Sequence, residues 1–112
     1  MKVTKSENII YCDVDETLCF TESESKATLE IDYYGQNRFI RPHTRNVNFL
    51  KSLHKRGFHI IVHSHNGWQW ALNVIVALNL QNYVDEVKSK SVWYIDDKPV
   101  EEWFGPRVFL QE

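Results

Sequence analysis

Two carboxylates stand two residues apart in Asp13-Val14-Asp15-Glu16-Thr17, directly after the apolar run Ile9-Ile10-Tyr11-Cys12. An acid pair at the carboxyl end of a buried strand lies where open α/β sheets bind their ligands. Like charges so close repel, and a proton, solvent or a hard divalent cation such as Mg2+ relieves that repulsion, because carboxylate oxygens suit such an ion. A second pair, Asp96-Asp97, follows a second apolar run, Val92-Trp93-Tyr94-Ile95. One acid after a strand commonly starts a turn or caps a helix. Two acid pairs after two apolar runs would converge at one sheet edge if the runs are neighbouring parallel strands, and that points to chemistry.

The pattern resembles the haloacid dehalogenase (HAD) superfamily of aspartate-nucleophile phosphatases, in a small form without a cap domain. The family's first motif, a strand followed by Asp-x-Asp-x-Thr or Val, is filled by Asp13, Asp15 and Thr17. The second, a strand ending in Ser or Thr, is filled by Phe58-His59-Ile60-Ile61-Val62-His63-Ser64. Lys88 and Lys90 compete for the third, a lysine ahead of the fourth strand, and Asp96 with Asp97 fills the fourth. All four occur in the family's order, over roughly residues 8–104.

The resemblance implies Mg2+-dependent hydrolysis of a phosphomonoester through an aspartyl-phosphate on Asp13. Asp15 would protonate the leaving oxygen and then take a proton from the attacking water, one acid serving both halves. The metal would rest on the Asp13 carboxylate, the Asp15 backbone carbonyl and Asp96, with Asp97 in its outer sphere. Ser64 would donate to a phosphoryl oxygen, helped by backbone N–H groups around His65 and Asn66 at a helix start. A lysine would complete the oxygen cradle as a compact charge. Spacing to Asp96 favours Lys88 over Lys90, although serine follows both where the family often has proline. A non-catalytic phosphate-binding module on the same scaffold and a phosphotransferase are the alternatives.

Other residues invite weaker readings. His63 and His65 would share one face of a continuing strand, but no cysteine or third histidine completes a zinc spacing. Trp70 suits the core, and an exposed Trp68 would offer a face on which a base stacks. Arg38, Arg41 and Lys98 are candidates to meet an anionic substrate.

The elements that must position these residues follow from the apolar pattern. The run 9–12 reads as a strand buried on both faces. Residues 27–34 and 38–41 flank Gly35-Gln36-Asn37 as a hairpin. Pro42 marks a boundary, Thr44 offers a cap, and Val47, Leu50 and Leu53 recur at helical spacing up to Gly57. Residues 58–63 form a second buried strand, and a helix carrying Trp70, Val74, Ala77 and Leu78 on one face follows Asn66-Gly67. Residues 83–87 read as a short strand or extended segment, 92–95 as a strand, Pro99 as the start of a helical turn, and 108–110 as a closing strand.

Helices between strands imply right-handed crossovers and a mostly parallel sheet covered on both faces. The expected fold is α/β, a three-layer Rossmann-like sandwich in one domain over residues 1–112, with residues about 20–42 forming a hairpin flap in place of a cap. The family's strand order places the Asp13 strand between the Ser64 and Asp96 strands. So small a flap leaves the site open, which suits an exposed phosphate on a macromolecule, or a small phosphoester whose pocket a second subunit completes.

Of 112 residues, 43% are hydrophobic and 25% charged, enough for one core. A formal net charge of −2 argues against a broad nucleic-acid footprint, so nucleic acid enters only as a substrate. No apolar stretch approaches the roughly 20 residues that cross a bilayer, and the polar start lacks a signal-peptide core, so no membrane partner and a cytoplasmic location are expected. Cys12 and Cys19 have no metal-type spacing and are read as reduced.

Overall fold

In a computed structural model the chain is described over residues 6–112; residues 1–5, most of the polar start, lie outside the described residues. The strands are β1 (Ile9–Asp13), β2 (Cys19–Thr21), β3 (Leu29–Tyr33), β4 (Gln36–Pro42), β5 (His59–Ser64) and β6 (Glu86–Ser89), and the helices are α1 (Thr44–Lys55) and α2 (Trp68–Ala77). They make two sheets. One is parallel in the order β1-β5-β6, with Cys12 opposite Val62 and His63 opposite Lys88. The other is antiparallel in the order β2-β4-β3, the hairpin about Gly35 with β2 added along β4. This is a mixed α/β fold of two sheets and two helices.

Side chains alternate along a strand, so each face of the parallel sheet has its own composition. Ile10, Cys12, Ile60, Val62 and Val87 face a core that also takes Val47, Leu50 and Leu53 from α1 and Trp70, Ala71, Val74 and Ile75 from α2. Both helices therefore cover the same face. The path from β1 to β5 to β6 always advances in one direction, and right-handed crossovers then keep their helices on one side. The opposite face presents Tyr11, His59, Ile61, His63, Glu86 and Lys88, a mixed polar surface on which His59 Nε2 meets Glu86 Oε2 at 2.6 Å.

Several expectations are corrected here. β5, not the Asp13 strand, is central in the parallel sheet. Residues 92–95 are irregular, with Trp93 87% and Ile95 105% exposed, and they do not extend the sheet beside β1. Once β6 has run to Ser89, only Lys90 and Ser91 precede Val92. A parallel strand beyond β1 would require a return across the sheet, and such crossovers take about a dozen residues or more. The covering of both faces by helices fails for the same reason.

Residues 108–110 are also not a strand. Side chains hold the tail instead: Leu110 N donates to Asn46 Oδ1 at 3.1 Å and Arg45 Nη1 donates to Gln111 O at 3.0 Å. Pro99 precedes the single 3₁₀ turn Val100–Glu102 rather than opening it, because its ψ of 154° is extended. Thr44 is the first residue of α1; the cap is His43, whose Nδ1 accepts from Asn46 N at 3.1 Å. Residues 83–87 divide between the 3₁₀ turn Gln81–Tyr83 and β6. No helix among the described residues is long and apolar enough to cross a membrane.

Leu18 links the two sheets. It is fully buried, and its carbonyl accepts from His43 N at 2.8 Å where β4 passes into α1. Leu18→Ala should lower stability by about 2–5 kcal/mol through the cavity it leaves, read as a shift of the urea midpoint at unchanged m-value.

Candidate active site at the carboxyl end of the parallel sheet

The loop after β1 is built on one carbonyl. Val14 O accepts from the backbone N–H groups of Thr17, Leu18 and Cys19 at 3.1, 2.8 and 3.3 Å, which winds the loop into a single turn. Glu16 takes a positive φ of 65° to close it, a left-handed conformation that costs a non-glycine residue some strain. The turn returns Thr17 to Asp13, and its Oγ1 donates to Asp13 Oδ2 at 3.3 Å.

Lys90 reaches the other oxygen of Asp13, Nζ to Oδ1 at 3.8 Å. It arrives there because its backbone N–H donates to Ser64 O at 2.9 Å, carrying the parallel pairing past the end of β6. Lys88, two residues earlier, instead places its ammonium 5.8 Å from the centre of the Tyr11 ring. Lys90, the less favoured of the two in sequence, is the lysine beside the first acid.

Asp15 is held by three donors. Trp70 Nε1 donates to Oδ1 at 2.9 Å, while Ser64 Oγ at 3.2 Å and Asn66 Nδ2 at 3.0 Å donate to Oδ2. The same Ser64 hydroxyl accepts from Asn66 N at 3.0 Å. Its one proton is thus directed at Asp15, and a turn of the hydroxyl would be needed to aim it at a phosphoryl oxygen. Trp70 was missed as a site residue. The available signal was that a buried indole N–H needs an acceptor, and Trp70 is only 6% exposed.

The antiparallel sheet roofs Asp15. A cavity of about 190 Å³ lies between Asp15, Asn66 and Trp70 on one side and Tyr33, Arg38 and Phe39 on the other. Arg38 is the basic candidate that lines this cavity. Arg41 lies over the Phe20 ring at 4.5 Å and pairs with Glu112 and, at 3.2 Å, with Glu22. The hydrogen bond to Glu112, more than that to Glu22, raises its already high pKa. Lys98 belongs to the exposed segment, its N–H donating to Asp96 Oδ1 at 3.0 Å.

That contact is a local turn, and Asp96 and Asp97 are exposed. Among the described residues no three histidine, cysteine, aspartate or glutamate side chains gather as a metal site. His63 stacks on Tyr11 with centroids 5.1 Å apart, and His65 is exposed. Trp68 is 47% exposed, and its backbone N–H donates to Ser89 Oγ at 3.0 Å, so β6 caps α2. Gly67, ahead of it, has a φ of 97°, which favours glycine. Burial, with Asp13 beside Cys12 and chiefly Asp15 near Cys19, pushes both thiols up to about 12.

Comparison with known proteins identifies no family: no family model, curated protein or solved structure matches the chain.

Trp70→Phe keeps the packed ring and deletes one donor to Asp15, so it should cost about 1–2 kcal/mol in urea unfolding. Burial, and secondarily the positive charge of Lys90, holds His63 below its ordinary value. The unfolded chain then binds the proton first, so stability should fall as pH drops below about 6.5 toward the folded-state value. His63→Gln should flatten that part of a stability-versus-pH curve.

Proposed function

We propose that this chain is a small HAD-like phosphatase that hydrolyses a phosphomonoester through an aspartyl-phosphate on Asp13, with the β2-β4-β3 sheet standing in place of a cap. The observation that carries the reading is the pairing of Asp13 with Lys90 at 3.8 Å, two residues from an Asp15 carboxylate fixed by Ser64, Asn66 and Trp70. A nucleophile, a neutralising cation and a second acid at one strand end are what phosphoryl transfer requires, since its main tasks are alignment and charge neutralisation.

In the first half-reaction an Asp13 oxygen forms a bond to phosphorus as the bond to the leaving oxygen breaks, and protonated Asp15 gives that oxygen its proton. In the second, water attacks the phosphoryl group, Asp15 takes a proton from it, and the Asp13 carboxylate is released with inorganic phosphate. Rotation of the Ser64 hydroxyl toward a phosphoryl oxygen would serve both residues, freeing Asp15 Oδ2 to carry the proton. Lys90 offsets charge on the phosphoryl oxygens, and Arg38 in the cavity wall is placed to meet a further anionic group.

Magnesium belongs to this proposal through Asp13, Asp15 and Asp96, and the residues gathered in one chain do not fit it. The Asp13 oxygens face Thr17 and Lys90, those of Asp15 accept from three donors, and Asp96 is turned into its own loop. No step above is routed through the metal. The scattering of the acids favours a second reading, a phosphate-binding module without turnover.

Phosphate release from an aryl phosphate, assayed with and without Mg2+, separates these readings. Asp13→Asn should abolish turnover. Lys90→Ala should lower kcat/KM by about 10²–10³-fold, whereas Lys88→Ala should change it only a few-fold. Thermal stabilisation by phosphate or metal with no turnover across a broad phosphoester panel would establish the binding module, and phosphorylated alcohols among the products would establish a transferase. Activity surviving in Asp13→Asn would remove the nucleophile.

A further inference from the structure

We propose that residues 92–95 are exchanged between two copies of the chain, each copy adding a parallel strand to the open edge of the other's β1. Among the described residues β1 is paired along one side only, with β5. Its other side therefore presents a row of unpaired N–H and C=O groups, the kind of edge that recruits a further strand. The run Val92-Trp93-Tyr94-Ile95, β-branched and aromatic throughout, lies outside the sheet with exposures of 68, 87, 56 and 105%. A free edge and a free strand-forming segment in one chain satisfy each other's unmet demands.

The two-residue link of Lys90 and Ser91 prevents the segment from reaching that edge in its own chain, for the reason given above. It does not prevent the exchange. When two copies lie side by side with their parallel sheets running in opposite directions, the chain leaving the carboxyl end of one β6 is already near the amino end of the other's β1. It then needs only to reverse direction, and residues 92–95 run parallel to the β1 they join. Short connections that cannot close within a chain favour swapping between chains. The stretch from Lys98 to Arg107 spans about 30 Å when extended, enough for the tail to reach Asn46 of either copy.

The area suffices. Each large aromatic buries about 150–250 Å², and covering this run twice, with the surface it covers in return, approaches the roughly 1,600 Å² of a standard stable interface. The exchange also has a consequence for the site. It delivers Asp96 of one copy to the carboxyl end of the other copy's β1, where Asp13 stands, and so supplies the third acid that a single chain does not gather. This last consequence rests on the phosphatase reading; the exchange itself rests on strand pairing alone.

Light scattering on the intact chain decides the exchange without any reference to activity. The wild type should be a dimer, and Ile95→Pro, which removes a ladder N–H at a position fully exposed in the single chain, should be a monomer with unchanged circular dichroism. Amides of residues 9–13 should exchange more slowly in the dimer than in that variant. Asp13→Asn and Asp96→Asn, each inactive, should recover about a quarter of wild-type activity when unfolded and refolded as an equal mixture, because each mixed dimer contains one site with both acids intact. A monomeric wild type, a dimer indifferent to Ile95→Pro, or an active wild type whose two variants fail to complement would each overturn the exchange. An Ile95-dependent dimer with protected β1 amides and no turnover would uphold the exchange and reject the phosphatase.

Discussion

The Asp15 carboxylate is the tie on which the site depends. It joins the loop after β1 to the end of β5 through Ser64, to the following loop through Asn66, and to α2 through Trp70. A charged acceptor with three donors contributes more than neutral hydrogen bonds do, and it also removes the freedom of every group it touches. Because the three donors come from separate places in the sequence, the carboxyl ends of two strands and the start of a helix are held in register by a single side chain. Asp13 is not part of that network. It is reached only by Thr17 and Lys90, which leaves it the more accessible of the two acids for chemistry.

The parallel sheet explains why the molecule is one-sided. Three strands laid down in one direction place both crossover helices on one face, and the other face keeps Tyr11, His63 and Lys88 partly open. A cleft of about 310 Å³ forms there between these residues and Trp93, Trp103 and Phe104. Aromatic rings from the last quarter of the chain thus take a place that a helical layer occupies in doubly covered sheets. They cover it sparsely, and Trp93 remains almost wholly exposed.

Local signals made much of this legible in the sequence. The apolar runs at residues 9–12 and 58–63, the turn at Gly35 and the helix stop at Gly57 each act over a few residues, and each element lies where its composition puts it. The motif acids Asp13 and Asp15 stand at the end of a strand for the same reason. What failed was long-range. A run as β-prone as residues 92–95 has a propensity but no route to a partner, and connection length is a global property that local composition does not reveal. The choice between Lys88 and Lys90 failed more narrowly. It turned on where β6 ends, and element boundaries depend on pairing partners outside the segment.

The depressed acidity of Cys12 and Cys19 has a practical side. With both thiols near 12, only about one molecule in ten thousand carries a thiolate at either position at pH 8, and maleimides or mild oxidants act on the thiolate. The native cysteines are therefore chemically silent. A single cysteine introduced on the open face would be labelled alone, with no need to strip the interior of sulfur first.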